Sequence, residues 1–440
     1  ACIYLSPSAV RTTGRKAVIL KRNIMETRTP RGFHDVLPDD IRRWQFIEDN
    51  ARRIFDLYGF SEIRIPVLEF TEVFARSLGT TTDIVEKEMY TFTDRDGSSI
   101  TLRPEGTAGV VRAFVENSMH AKSSVSKLWY SGMMFRHERP QKGRYRGFYQ
   151  IGAELLGPED PASDADLITM VWKFLESIGL SDRLTLEISS LGDQNCRPQY
   201  KEKLVAYFKP EADKLCPDCK RRLETNPLRI LDCKEEGCRK IAAGAPKMID
   251  NLCDECSAHF EAVREYLGSA GVPYTINPKI VRGLDYYTRT VFEVTTNELG
   301  SQNAVAAGGR YDGLVEELGG PRTPAVGFAT GMERLVLLHE KAYPDGFQRE
   351  IKVFVTYVGQ GTQAAAFRLT SALRKRGVPA EMEYGGKSLK SQLKRADKSG
   401  AGYTFIIGED ELSRGKVKLR RMETSSEEEV DIETAPTLSF

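Results

Sequence analysis

The run Phe135-Arg136-His137-Glu138-Arg139-Pro140-Gln141-Lys142-Gly143-Arg144-Tyr145-Arg146-Gly147-Phe148 sets four arginines and one lysine within eleven residues, between two apolar stretches. A solvated loop would account for most of that charge. Arg136 differs, because it lies inside an apolar stretch, where an unpaired charge is costly. A strand-borne guanidinium facing a cleft suits forked binding of a phosphate. Phe148, just past the loop, offers a ring on which a base can stack. The first chemistry on offer is therefore nucleotide recognition.

Five further motifs carry polar groups at useful spacings. Arg103-Pro104-Glu105-Gly106-Thr107 stands at a predicted strand-to-helix junction, where a helix N-terminus attracts anions and the strand end presents Glu105; a helix cap is the plain alternative. Gln150 and Glu154, four apart on one predicted strand, share a face, with Gly152 between them leaving room. That pattern suits a polar side chain in a pocket, and equally an ordinary solvent face. Arg282-Gly283-Leu284-Asp285-Tyr286-Tyr287 puts two hydroxyl donors beside a fixed positive charge. Gly308-Gly309-Arg310-Tyr311-Asp312-Gly313 permits close backbone approach. In residues 325–335, Arg334 rides a predicted helix that begins near two glycines, a second candidate for a phosphate.

Of eight cysteines, six sit between Cys216 and Cys256. A chain of 440 residues has core enough without disulfides, so a reduced, cytoplasmic setting is expected. Cys216-Pro-Asp-Cys219 and Cys253-Asp-Glu-Cys256 are two C-x2-C pairs, the spacing that structural zinc prefers. The 33 residues between the pairs exceed the usual ribbon, and Cys233 and Cys238 offer alternative ligands. Zinc held by Cys216, Cys219, Cys253 and Cys256, and partly buried free thiols, both stand as readings.

The elements that must hold these groups follow from periodicity. Apolar residues at 41, 44, 47, 51, 54 and 57 recur at helical spacing, and Gly59 is a good stop. A Pro-broken strand is expected over 63–68, and a hairpin around Asp96-Gly97. Residues 106–117 and 164–178 read as helices, and 127–137, 147–156 and 183–190 as strands. Residues 193–272 read as a charged, mainly helical insertion, after which strands resume at 274–280, 288–295 and 303–307. Beyond a short linker at Pro344-Asp345-Gly346, a β-α-β-α-β pattern predicts a small α/β domain with a largely parallel sheet. The helix within 388–399 bears Lys390, Lys394 and Arg395, with Lys387 beside it, a basic face for RNA phosphates or merely a solvated one. The acidic residues 427–433 read as a solvated end. Residues 1–24, with five basic residues and no acid, read as an N-terminal extension outside the fold, with a transit peptide as the alternative.

Length predicts two or three domains. A net charge of +1 argues against a globally basic nucleic-acid coat but allows local patches. Mean hydropathy is −0.39, and no apolar run approaches the roughly 20 residues of a membrane helix.

Taken together, these motifs resemble the bacterial histidyl-tRNA synthetases of class II. Residues 135–148 look like class II motif 2, 325–335 like motif 3, and 58–68, with Pro66, like the dimer-forming motif 1. The Arg-Gly-Leu-Asp-Tyr-Tyr and Gly-Gly-Arg-Tyr-Asp-Gly blocks resemble the signatures specific to the histidine enzyme. The resemblance implies an α+β chain: a catalytic domain, residues 25–343, built on an antiparallel sheet with flanking helices and the 193–272 insertion, then an anticodon-binding domain, 347–440. It implies a homodimer using L-histidine, ATP with Mg²⁺, and tRNA-His. Glu105, Gly106 and Thr107 would hold the histidine amino group, and Gln150, Glu154, Tyr286, Tyr287 and Tyr311 would surround its side chain and backbone. Arg136 would grip the α-phosphate, with Arg144 and Arg334 nearer the γ-phosphate. Phe148 would lie on adenine, and Glu138 would touch adenine or help place Mg²⁺. Arg282 and Arg136 would be catalytic. The resemblance requires no metal in the cysteine cluster. A histidine-binding regulator would lose catalytic positions, and a sister synthetase would lack the 282–293 block.

Overall fold

The computed structural model describes residues 28–440 except 80, 81, 83, 232, 281, 283, 285, 301, 302 and 348–350. The segment 1–24 and Asp285 therefore lie outside the described residues. One eight-stranded sheet supports the site. In spatial order its strands are Ser61–Glu62, Ser126–Phe135, Gly147–Leu156, Ala325–Gly331, Ala304–Arg310, Thr288–Thr295, Thr185–Ser190 and Thr275–Ile276. The six inner strands pair antiparallel, and each outermost strand pairs parallel with its neighbour.

Helices cover one face. Ile41–Leu57 buries Trp44, Ile47, Ala51, Ile54 and Phe55, a stripe at three-and-four spacing. It stops where Gly59 takes φ 77°: Phe60 N–H donates to the Phe55 carbonyl and Gly59 N–H to the Asp56 carbonyl, each at 3.0 Å, the double closure that only a left-handed residue permits. Beside it lie Pro161–Ser177, Asp254–Ser269 and Met332–Ala342, and their apolar sides join the sheet in one core that includes Phe174, Phe260, Phe328 and Leu335. Ile41–Leu57 turns most of its apolar stripe into its own chain; the large apolar side chains left exposed in this region are Leu37, Leu57, Val67, Leu68, Phe70 and Phe92.

The opposite face of the sheet is where the functional groups gather, under Thr107–Glu116 and a small sheet of Leu68–Phe70, Ser99–Leu102 and Tyr90–Thr93. The hairpin around Asp96-Gly97 forms as expected. The strand expected over 63–68 does not. Pro66 has no N–H for a ladder, and the Arg103 guanidinium takes the carbonyls of Ile65 at 2.7 Å and Pro66 at 3.2 Å.

The insertion is helical, with Arg197–Phe208, Pro217–Thr225 and Glu236–Ala242 around a small core of its own. Its closing helix, Asp254–Ser269, instead joins the helices packed on the eight-stranded sheet through Phe260, Val263 and Leu267.

Residues 351–440 form a five-stranded sheet in the order Ala380–Met382, Val353–Tyr357, Tyr403–Ile407, Lys416–Arg421, Glu427–Asp431. The first three are parallel, connected by Thr362–Lys375 and Leu389–Lys398. The acidic stretch is solvated, as expected, but it is no loose end. It is an antiparallel rim strand whose register sets Glu427 opposite Arg420, Glu429 opposite Lys418 and Asp431 opposite Lys416, and opposite charges across a ladder stabilise pairing. On Leu389–Lys398, Lys390 and Lys394 are exposed, as is Lys387 before it, but Arg395 bonds Glu383 at 3.1 Å and lies over the Phe354 ring; its charge is already used in holding the domain together.

Candidate active site

The strands Ser126–Phe135 and Gly147–Leu156 form one long hairpin whose basic loop folds back on itself. Arg136 N–H donates to the Arg146 carbonyl at 2.9 Å, and Gln141 and Arg144 exchange backbone bonds at 3.0 and 2.9 Å. Above the hairpin opens a cleft of about 470 Å³, within the usual range for small-molecule sites. Glu105, Thr107, Arg136, Glu138, Arg144, Phe148, Gln150, Arg282, Tyr286, Tyr287 and Arg334 line it. Glu154 and Tyr311 lie directly beneath: Thr107 Oγ1 donates to Glu154 Oε1 at 2.7 Å, and the Tyr311 hydroxyl donates to Glu154 Oε2. Gly106 is the residue that precedes Thr107–Glu116. Every residue expected to hold histidine or ATP thus comes together.

One end of the cleft is strongly positive. Arg136 Nε donates to the Pro104 carbonyl at 2.8 Å, and its guanidinium lies 5.4 Å from the Phe148 ring centre. Glu138 pairs with Arg144 and stands 4.0 Å from Arg136. Burial pulls the Arg136, Arg144 and Arg334 guanidiniums below the usual arginine range, and neighbouring guanidiniums push Arg144 and Arg334 further the same way. Arginine's guanidinium is so strongly basic that it carries its charge in proteins near neutrality. Fixed positive charge in such excess is relieved by a polyanion.

The other end is polar and enclosed. Glu105 accepts from the backbone N–H groups of Thr107 and Ala108, both at 2.8 Å; it is the helix cap, and burial raises its pKa above the usual carboxylate range. Glu154 is fully buried, and burial pushes its pKa up to about 8 against the opposing hydroxyls of Tyr311 and Thr107. The Gln150 side-chain oxygen is buried with no hydrogen-bond partner, an acceptor that calls for a donor from a ligand. Tyr286 packs against Tyr287 and Tyr311 at ring-centre distances of 4.6 and 5.4 Å.

Between the two ends stands Arg282. Its Nη1 donates to Glu293 Oε1 at 2.6 Å, its guanidinium lies 4.9 Å from the Tyr287 ring centre, and its Nε is buried without a partner. Its carboxylate partner, Glu293, stands on the strand Thr288–Thr295 at the far end of the same 282–293 block.

Several sequence expectations need correction. The space at Gly152 is not left for a ligand: the Tyr130 ring fills it, and a Cβ at Gly152 or at Gly106 would fall 2.4 or 2.2 Å from that ring. Sequence reasoning misses Tyr130, though it stands opposite Gly152 in the hairpin register. Arg310, in a motif expected only to permit close backbone approach, serves the fold. It is fully buried, with Nε on Asp164 Oδ1 and Nη1 on Asp312 Oδ1, both at 2.9 Å, and Nη2 on Ser163 Oγ at 2.8 Å. Asp164 also bonds His259 at 2.7 Å, so this network ties a site strand to two helices. Glu333, also missed, accepts from Tyr149 N–H at 2.9 Å, and burial pushes its pKa up to about 7. The expected four-cysteine set does not form. Its two pairs open different helices, Pro217–Thr225 and Asp254–Ser269, and belong to separate clusters: Cys216 and Cys219 with Cys233 and Cys238, and Cys253 and Cys256 with Asp193 and Cys196.

An antiparallel sheet with an arginine-bearing hairpin, a second arginine on the helix after Ala325–Gly331 and a separate α/β domain is the architecture of a class II aminoacyl-tRNA synthetase. The sequence pattern of the family described as Histidyl-tRNA synthetase matches residues 32–195 and 223–335, and that of an anticodon binding domain matches 352–438. A histidine–tRNA ligase of Syntrophotalea carbinolica is 52% identical over 403 residues, covering 92% of this chain and 96% of its own. The structure of apo histidyl-tRNA synthetase from S. aureus superposes with a TM-score of 0.79 at 37% identity, covering 93% of this chain and 98% of its own. A Bacillus halodurans protein described as an ATP phosphoribosyltransferase regulatory subunit/histidyl-tRNA synthetase, 20% identical with a TM-score of 0.62 over 87% of this chain and 97% of its own, shares the fold. The chain belongs to the histidyl-tRNA synthetase family. Among the described residues, no helix is long and apolar enough to cross a membrane.

Proposed function

We propose that the chain activates L-histidine with ATP, forming histidyl-adenylate and pyrophosphate, and then transfers the histidyl group to the 3′ end of tRNA-His. The observation that carries this reading is the convergence of Arg136, Arg144 and Arg334 on one cleft whose other end holds Glu154 and the tyrosines. A triphosphate and a small polar amino acid fit the two ends.

A histidine carboxylate oxygen attacks the α-phosphorus in line, the bond to the β-phosphate oxygen breaks, and pyrophosphate leaves with that electron pair. Two anions meet, so the main demand is positive charge at the α-phosphate. Arg136 and Arg282 supply it from fixed positions, without reorganisation at the moment of reaction. Arg144 and Arg334 hold the far phosphates, and Phe148 backs the adenine. Glu105 and Thr107 hold the amino group. Gln150, Glu154, Tyr286, Tyr287 and Tyr311 enclose the imidazole and backbone; Gly106 gives the helix start its close approach to Tyr130. Glu138 would touch adenine or, by giving up its Arg144 partner, offer a carboxylate oxygen to Mg²⁺, which when bound would neutralise phosphate charge. No general base is needed for activation, because the carboxylate is already ionised. Holding both substrates in place contributes much of the rest, up to about 7–11 kcal/mol in favourable cases.

Residues 25–343 form the catalytic unit and 347–440 the unit that meets the tRNA anticodon. The protein works as a cytoplasmic homodimer, with the exposed Val67, Leu68 and Phe70 at the interface. Histidine-dependent exchange of labelled pyrophosphate into ATP, followed by charging of total tRNA, tests the activity. A histidine-binding regulator would bind histidine and exchange no pyrophosphate.

A further inference from the structure

We propose that the insertion holds two zinc ions, one on Cys216, Cys219, Cys233 and Cys238, the other on Asp193, Cys196, Cys253 and Cys256. Within each group the four ligand atoms all lie within 4.8 Å of one another. Four sulfurs tetrahedrally placed about 2.3 Å from zinc stand about 3.8 Å apart, and Cys216 Sγ and Cys233 Sγ are separated by 3.8 Å. That spacing is far beyond the roughly 2.05 Å of a disulfide. The second group replaces one thiolate by a carboxylate, which is also a normal zinc donor.

The surroundings favour metal-binding sulfur over inert thiols. Cys216 and Cys253 each precede a helix, with Cys219 and Cys256 in its first turn, so each helix start presents two sulfurs to one point, the C-x2-C arrangement of structural zinc sites. Backbone N–H groups also point at sulfur: Cys216 N–H donates to Cys238 Sγ at 3.2 Å, and Cys253 N–H to Cys196 Sγ at 3.1 Å. The insertion has a small core of its own, in which Tyr200, Leu204, Phe208, Leu215, Ile230 and Met248 are buried and the cysteines sit among them. Modules with so small a core are often stapled by metal.

Each ion would close a different loop. The first ties residues 216–219 to 233–238. The second ties 193–196, where the chain leaves the catalytic sheet, to 253–256, where it returns to the helical layer. Both touch the cleft through the next residue along. Lys234 follows Cys233 and stands in the cleft wall. Arg197 follows Cys196, and its guanidinium donates to the Tyr287 carbonyl. The family pattern stops at residue 195 and resumes at 223, so Cys196, Cys216 and Cys219 lie in a stretch that it does not describe.

The test is elemental analysis of the full chain purified from zinc-supplied cells and dialysed against zinc-free buffer. Two zinc ions per chain are expected, both released by a thiol-binding mercurial and counted with a metal-sensitive dye. Cys219→Ser and Cys256→Ser should each leave one ion, and the pair together none. The count on the unaltered protein stands even if a variant folds poorly. A count below two, iron in place of zinc, or cysteines found as disulfides by intact-mass measurement overturns the assignment.

Discussion

Glu154 and Gly327 stand opposite each other on adjacent strands, and the Glu154 carboxylate occupies the space where a side chain on residue 327 would begin. A Cβ there would lie 1.7 Å from Glu154 Oε2. The carboxylate cannot swing aside freely, because Thr107 and Tyr311 both bond it, and the Ala153 carbonyl at 2.9 Å crowds the same point. Gly327→Ala should therefore raise the histidine KM about ten-fold or more and destabilise the fold by roughly 1–3 kcal/mol, while changing the ATP KM little. Pyrophosphate exchange at varied histidine and ATP measures both. Equal rises in the two constants would mean that the whole cleft had deformed.

Stability should depend on pH through the same carboxylate. Burial holds Glu154 at about 8 and Glu333 at about 7, well above the roughly 4.3 of an exposed glutamate. Between those values the folded chain keeps protons that the unfolded chain has released. The stability they contribute is complete below about pH 4 and is lost as pH rises through 7 to 8. The unfolding midpoint should fall between pH 5 and pH 8.5, and Glu154→Gln should remove part of that fall. An identical slope in the variant would show that Glu154 does not titrate there.

Arg282 is expected to act on the reaction more than on the fold. Its Glu293 partner and the Tyr287 ring fix the guanidinium, while its Nε has no partner in the protein. Arg282→Ala should slow adenylate formation by about 10²–10³-fold at saturating histidine and ATP, the usual cost of one charge-stabilising donor. Arg282→Lys should recover little, since a point charge does not reproduce the fork. Rapid-quench measurement of the adenylate decides; a lower melting temperature with an undiminished rate would make the ion pair to Glu293 purely structural.

The basic helix of the C-terminal domain divides into two kinds of residue. Lys390 and Lys394 are exposed, whereas Arg395 is tied to Glu383. Replacing both lysines by alanine should weaken tRNA charging more than histidine activation, and reduce the salt slope of tRNA affinity by roughly 0.7–0.9 for each phosphate that is no longer neutralised. Arg395→Ala should instead lower the unfolding midpoint of the domain. Filter binding across a salt series separates the two; a salt slope unchanged in the lysine variant would place the tRNA on another surface.

The residues that line the cleft are legible because they declare themselves locally. An arginine in an apolar strand, or a glutamate just before a helix, carries its reason within a few positions. What stays hidden depends on partners far along the chain. Nothing near Gly152 reveals that Tyr130, twenty-two positions earlier, takes its space. Arg310 ends a strand beside the cleft, and nothing near it in the sequence reveals that Asp164, on the helix Pro161–Ser177, pairs with it. The C-x2-C spacing identifies metal-like pairs but not which pairs meet, since packing of separate helices decides that. The strand lost around Pro66 has its signal in the proline itself.

The acidic rim strand has a second consequence, for how copies of the protein behave in a crowded solution. A rim strand carries unpaired N–H and carbonyl groups and so invites another chain to extend the sheet. Glu427, Glu428, Glu429 and Asp431 are all exposed along this one. Another copy approaching rim to rim would bring its own carboxylates against them, and the repulsion opposes docking while the basic neighbour strand holds the rim in place. The same charges that fasten the strand inward keep the sheet from growing outward. Replacing the four by their amides would remove that barrier, and clumping of otherwise folded protein, read by light scattering, is the expected result.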